Sequence, residues 1–177
     1  TGHTSAVPSI CITSDDKYLI SAGYNEVKLW ELESRKLIRH FSGHWGLVTS
    51  SALSPDEQYL LTGGWDWKAR LWRVDTGECV GIYNHVGDAV CFCTIADRLH
   101  IVSGGFYAEQ SYGVMLHDFE RGNQYRLSGH ADKVKTVSVS PDDKYLVSGG
   151  RDARALLWYL TNPARTRIKN QCVYRPG

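Results

Sequence analysis

Histidine, a hydroxyl residue and aspartate recur at fixed spacing in this chain: His44, Thr62 and Asp66, then His130, Ser148 and Asp152. These residue types could build a hydrolase triad, in which the histidine takes the hydroxyl proton and the carboxylate orients the imidazole. Repetition argues against that use. The set occurs twice in full and in part at two further places, and an active site does not come in serial copies. A set used serially is architecture, so no residue is assigned a catalytic role.

The elements that position these residues repeat with them. The stretch from Gly43 to Trp72 opens with Gly-His, turns at Ser54-Pro55-Asp56, and runs through Tyr59–Thr62 to Gly63-Gly64, Asp66 and Trp72. His3, His44, His85 and His130 follow one another at intervals of 41, 41 and 45 residues. A hydroxyl residue stands 18 positions after each: Ser21, Thr62, Ser103 and Ser148. Trp30, Trp72 and Trp158 close three of the units. A period just above forty residues is the signature of a repeat architecture. The units are residues 2–42, 43–83, 84–128 and 129–174, together one domain over 1–177.

Each unit reads as four short strands. In unit one they are 7–13, 18–22, 27–32 and 37–41, rich in β-branched and aromatic residues and separated by Gly, Asp, Asn and Ser. No segment sustains a helical period. Unit three deviates: His117 stands in the tryptophan place, the aspartate is missing, and residues 104–113 form an enlarged hairpin. Unit four ends in a strand near 167–174. A blade of four strands cannot hide both its faces, so blades must stack. Val48, Ala52, Leu60, Leu71, Val134, Val137, Leu146 and Leu157 are the expected stacking residues.

With 20 basic and 19 acidic residues, the charge is nearly balanced, which argues against a generic nucleic-acid binder. No apolar run approaches the roughly 20 residues of a membrane helix. Cysteines at 11, 79, 91, 93 and 172 show no CxxC or zinc-site spacing, so neither metal nor cofactor is expected. They read as small strand residues of a reducing compartment, cytoplasmic or nuclear. Cys91 and Cys93 should share one strand face.

The Gly-His opening, the hairpin aspartate and the tryptophan six residues later resemble the WD40-repeat family of β-propellers. The resemblance implies an all-β fold of four four-stranded antiparallel blades, part of a ring of about seven. A second copy of the chain could close the ring instead, and closure by four blades alone is the third reading. The resemblance also implies a buried relay from Trp72 to Thr62, His44 and Asp66, and from Trp158 to Ser148, His130 and Asp152. Asn25 takes the aspartate place in unit one, so the relays of units one and three should be weaker or absent.

In the family, protein partners contact the residue before the hairpin aspartate and positions three and five after the Gly-His histidine. Here the first set is Tyr24, Trp65, Phe106 and Arg151. The second is Ala6, Leu47, Asp88 and Lys133, and the third is Pro8, Thr49, Val90 and Lys135. Aromatic residues and arginine are favoured in binding hot spots, whereas turn chemistry alone prefers Gly, Asn or Asp. The resulting expectation is a non-catalytic scaffold for protein–protein interaction, centred on Trp65. Alternatives are a ligand-sensing or autoinhibitory propeller in a larger multidomain protein, and phosphopeptide or nucleic-acid binding by Lys133, Lys135 and Arg151.

Overall fold

The computed structural model describes residues 2–84, 88–95, 97–107, 111–160 and 171–174, with no side-chain placement for 106, 107, 111 and 171–174. Every described element is a strand. Blade one holds β1 (Ser9–Ile12), β2 (Tyr18–Ala22), β3 (Val27–Glu31) and β4 (Leu37–Phe41). Blade two holds β5 (Val48–Leu53), β6 (Tyr59–Gly64), β7 (Lys68–Arg73) and β8 (Cys79–Asn84). Blade three holds β9 (Ala89–Ile95), β10 (Arg98–Tyr107), β11 (Ser111–Asp118) and β12 (Gln124–Ser128). Blade four holds β13 (Val134–Val139), β14 (Tyr145–Gly150), β15 (Ala155–Tyr159) and β16 (Gln171–Tyr174). Each blade is one antiparallel sheet in simple sequential order.

The turn between the first two strands is built the same way three times. Ser54 donates to Asp56 Oδ1 at 2.6 Å, Asp56 accepts the Gln58 N–H at 3.1 Å, and Ser54 Oγ accepts the Tyr59 N–H at 3.0 Å. Thr13 with Asp15, and Ser140 with Asp142, repeat the device at 2.7 Å each. These bonds hold Asp15 and Asp142 down at about 2, the neighbouring hydroxyl being the largest cause. Such side-chain caps make the turn local and self-contained.

Three apolar clusters join consecutive blades. Ile20, Leu29 and Phe41 of blade one pack with Val48, Leu60 and Trp72 of blade two. Leu61 and Leu71 meet Val90, Phe92 and Ile101 of blade three. Cys93, Val102 and Leu116 meet Val134, Leu146, Leu156 and Trp158 of blade four. Among the described residues no cluster joins blade four to blade one, so the stack is an open, partial propeller. The uncovered face of blade one shows Ile10 and Ile12, that of blade four Tyr145 and Val147.

One expectation is corrected here. Leu157 is not a core residue; Leu156 is, because it shares the face of Ser148 and Trp158. Leu71, which Leu157 was expected to match, is buried only because blade three covers its face of blade two. Residues 104–113 belong to an enlarged hairpin, as expected: the ladder continues through Gly105↔Gly113, Phe106↔Tyr112 and Tyr107↔Ser111. The last strand is Gln171–Tyr174, within the expected 167–174, and the expected residues 167–170 lie outside the described set.

Candidate functional site

The repeated histidine sets form buried chains. In blade two the Trp72 indole N–H donates to Thr62 Oγ1 at 2.8 Å, and Thr62 Oγ1 meets His44 Nε2 at 2.7 Å. His44 Nδ1 lies 2.9 Å from Asp66 Oδ2. Blade four repeats this with Trp158 to Ser148 at 2.8 Å, Ser148 to His130 at 2.8 Å, and His130 to Asp152 at 3.0 Å. Thr62 and Ser148 are fully buried, and each hydroxyl oxygen already meets an indole and an imidazole. Neither can reach a substrate as it stands. The cluster is a satisfied polar core, as expected.

Blade two adds a cation. Arg70 Nη1 donates to Asp66 Oδ2 at 2.5 Å. Burial alone would raise the Asp66 carboxyl, but the bonds and charges of His44 and Arg70 outweigh it, leaving Asp66 below the usual carboxylate range. Asp152 is likewise lowered: burial opposes, and the N–H groups of Ala131 and Arg154 with His130 prevail.

The expectation of a weak or absent relay in blade one is overturned. Trp30 donates to Ser21 at 2.8 Å, Ser21 meets His3 Nε2 at 2.6 Å, and His3 Nδ1 lies 2.8 Å from Glu26 Oε1. Glu26, one position beyond Asn25 and one methylene longer, supplies the carboxylate. Lys28 pairs with it at 2.6 Å, in the strand place that Arg70 holds in blade two. In blade three, His117 occupies the tryptophan place as expected, 4.8 Å from the Tyr83 ring. Neither of its ring nitrogens has a hydrogen-bond partner among the described residues, and burial pushes its pKa down to about 4.

The candidate partner-binding residues line the hairpin ends of the blades. Tyr24 bridges to Leu47, and the Leu47 carbonyl accepts the Trp65 N–H at 2.9 Å. An added Cβ at Gly64 would run into that same carbonyl, so glycine is required where the hairpin meets the entry loop. Thr49 donates to the Asp88 carbonyl at 2.9 Å, tying blade two to blade three. The Arg151 N–H donates to the Lys133 carbonyl at 2.9 Å.

The exposed aromatic residues here are Tyr24 at 54 %, Trp65 at 57 % and Trp67 at 45 %, with Trp45 beside them at 63 %. Arg151 is exposed, Leu47 and Thr49 are half-buried, and Val90 is buried. The Phe106 side chain lies outside the described set.

Asp88 is not an open contact residue. It is buried and sits between two ammonium groups, Lys133 at 3.1 Å and Lys135. The basic corner is therefore partly neutralised. Lys133 also lies 4.9 Å from the centroid of the Trp67 ring. Trp65, Trp67, Asp88, Lys133 and Lys135 thus line one recess of 330 Å³ together with Gly64. The sequence reading treated the tryptophan hairpin and the lysines as separate features; nothing in their spacing brings blade two over to blade four.

Among the described residues no group of His, Cys, Asp and Glu could hold a metal ion. Cys91 and Cys93 share one face, as expected, and burial pushes the Cys91 thiol up to about 12 and Cys93 higher still.

Comparison with known proteins agrees with this architecture. A LST8 homolog of Drosophila melanogaster is 24% identical over 98% of this chain and 60% of its own length. The U3 small nucleolar RNA-associated protein 15 homolog of Xenopus tropicalis is 27% identical over 76% of this chain and 26% of its own. Human WD repeat-containing protein 43 is 51% identical, but over only 24% of this chain and 6% of its own. The chain thus spans no more than about three fifths of the length of these relatives. The WD40 family, described as WD domain, G-beta repeat, matches residues 1–31, 35–73 and 122–159, leaving most of the deviant third unit unmatched. With those segments spanning more than half of the sequence, on four sequential antiparallel blades, the chain belongs to the WD40 repeat family.

Proposed function

We propose that this protein is a non-catalytic platform that binds protein partners through the hairpin ends of its blades. One observation carries the reading: four large aromatic residues, Tyr24, Trp45, Trp65 and Trp67, stand about half exposed or more at one end of blades one and two. Half-exposed tryptophans add nothing to a core and are costly in water, whereas they are the side chains on which binding energy concentrates. The burial of both relay hydroxyls supports the absence of catalysis. The relative named as an RNA-associated protein is consistent with a scaffold role.

The partners include further blades. The apolar faces left open on blades one and four are of opposite kind: one carries the relay side, with Trp30, and the other the side opposite Trp158. They suit blades of the same repeat, from a larger ring of about seven or from a second copy. A cytoplasmic or nuclear address is part of this proposal, supported by Cys11, Cys79, Cys91 and Cys93, all of them unpaired.

The test is affinity capture of partners with the intact protein and with Trp65→Ala. The variant is expected to melt at the parent temperature and to lose its captured partner. Normal capture by a folded Trp65→Ala protein would place the interface elsewhere.

A further inference from the structure

We infer that the recess between the blade-two hairpin and the first strands of blades three and four seats a carboxylate side chain of a protein partner. An apolar neighbour of that carboxylate would lie against Trp65 and Trp67. The inference rests on the hairpin-face reading above and names the chemistry of that surface.

Charge decides the kind of ligand. Two ammonium groups, Lys133 and Lys135, converge on the single carboxylate of Asp88. Around the recess, Arg151 adds one positive charge, and Asp132, which accepts the Lys133 backbone N–H at 2.6 Å, and Asp152, held by His130, add two negative ones. Asp66 does not count, because His44 and Arg70 hold it. Among the residues that line the recess itself, one positive charge is left over.

The pairing is also incomplete. Asp88 Oδ1 is buried without a hydrogen bond, although the Lys133 ammonium is 3.1 Å away. The Lys135 side chain remains 45 % exposed. Each ammonium carries three donors, and Asp88 does not use them all. An incoming carboxylate could share both lysines with Asp88 while Asp88 stays where it is.

Backbone conformation supplies an independent argument. Trp67 sits at φ 60°, in the left-handed region. The equivalent place in blade four holds Ala153, at 56°, and Asn25 takes the same conformation, at 62°, in the shorter hairpin of blade one. Asparagine adopts that conformation easily; a bulky aromatic residue does so at a cost. Turn chemistry does not ask for tryptophan there, and the fold does not bury it. Its ring instead forms the wall of the recess under Lys133. Of the described non-glycine residues in that conformation Trp67 is the one aromatic, and a costly side chain turned toward a cavity marks a recognition position.

A recess of 330 Å³ takes one or two side chains. Lysines with an aromatic wall could also suit a single-stranded nucleic acid. The observations favour the peptide, because Asp88 and Asp132 would face a phosphate backbone and the whole chain carries a net charge of only +1.

The experiment uses the intact protein and four fluorescein-labelled probes. They are a short peptide with Glu-Phe-Glu at its centre, the same peptide with glutamine for glutamate, the same with lysine, and an oligouridine of similar length. Fluorescence anisotropy is expected to show the glutamate peptide binding about tenfold more tightly than the glutamine peptide, as a charge-assisted contact requires. Trp67→Asn should weaken it about tenfold while the melting temperature holds or rises, since asparagine suits the backbone. Lys135→Gln should weaken it several-fold and flatten its salt dependence.

Equal binding of the glutamate and glutamine peptides overturns the inference. So does tighter binding of the lysine peptide, which would make Asp88 the receptor, or of the oligouridine. Undiminished binding by a folded Trp67→Asn protein overturns it as well. If the glutamate peptide fails while Trp65→Ala still loses its captured partner, the carboxylate seat falls and the hairpin-face reading stands; if both fail, both fall.

Discussion

Blades two and three share one strand order and treat buried charge in opposite ways. In blade two, Asp66 is met by His44, Arg70 and the Lys68 N–H, and the Trp72 ring packs edge-on against Phe41 of blade one at 5.8 Å. In blade three, the ring in the same place is His117, set against Tyr83 of blade two. A second imidazole, His100, is fully buried; its Nδ1 donates to the Arg98 carbonyl at 3.0 Å, while Nε2 stands 3.9 Å from Asp118. Burial raises Asp118, but the Arg121 N–H with His100 and Arg98 holds it below the usual range. The comparison teaches that the geometry of a blade survives loss of the tryptophan, provided a ring still fills its volume. What is lost is polar satisfaction, and with it indifference to pH.

The sharpest way to break this comparison is Asp66→Ala. It leaves Arg70 buried without its carboxylate, which costs about 3–5 kcal/mol. Urea unfolding should show a large fall in midpoint, and an unchanged midpoint would refute the buried chain.

Next in size is acidification. His117 has a folded pKa of about 4, below its ordinary value of 6.5. The folded state therefore binds its proton less readily than the unfolded chain. The stability this neutral ring permits is complete above pH 6.5 and is lost as pH falls toward 4, by about 3 kcal/mol. His117→Phe should remove that window and leave stability at pH 7 equal or higher. Thermal melts of both proteins between pH 7 and pH 4 would check it, and parallel curves would count against the assignment.

Asp152→Ala should cost less than Asp66→Ala, about 1–3 kcal/mol, because Leu156 stands where Arg70 stands and no cation is stranded. Smallest is Glu26→Gln, at about 1 kcal/mol, since the glutamine oxygen can still accept from the buried Lys28, whose ammonium also donates to the Gly2 carbonyl at 3.1 Å. Calorimetry of both variants would rank them, and a reversed order would mean that the cation in blade two is not what separates the relays.

The spacing of eighteen residues made the relays of blades two and four legible, since a strand pair and its hairpin hold that distance rigidly. Blade one was misread because the carboxylate was sought at a fixed position. The acid at Glu26 and the cation at Lys28 were one step away, and the matching pair of Asp66 and Arg70 was the signal.

Leu156 and Leu157 could not be told apart by hydropathy; the parity of Trp158 settles the face. That Leu157 stays half-exposed depends on which face a neighbouring blade covers, and a single unit does not encode that. The recess of Trp67, Asp88, Lys133 and Lys135 draws on three blades, so its residues are far apart in the chain and no local pattern announces it.

The self-capped turns have a consequence for how the protein is made. Each strand pairs only with the one before and after it in the sequence, and Thr13, Ser54 and Ser140 close their hairpins with their own side chains. Loop closure between the first two strands of these blades is short, so little chain entropy is lost before the first bonds form. A blade can therefore take shape as soon as its forty-odd residues have emerged from the ribosome, and present a finished face on which the next one condenses.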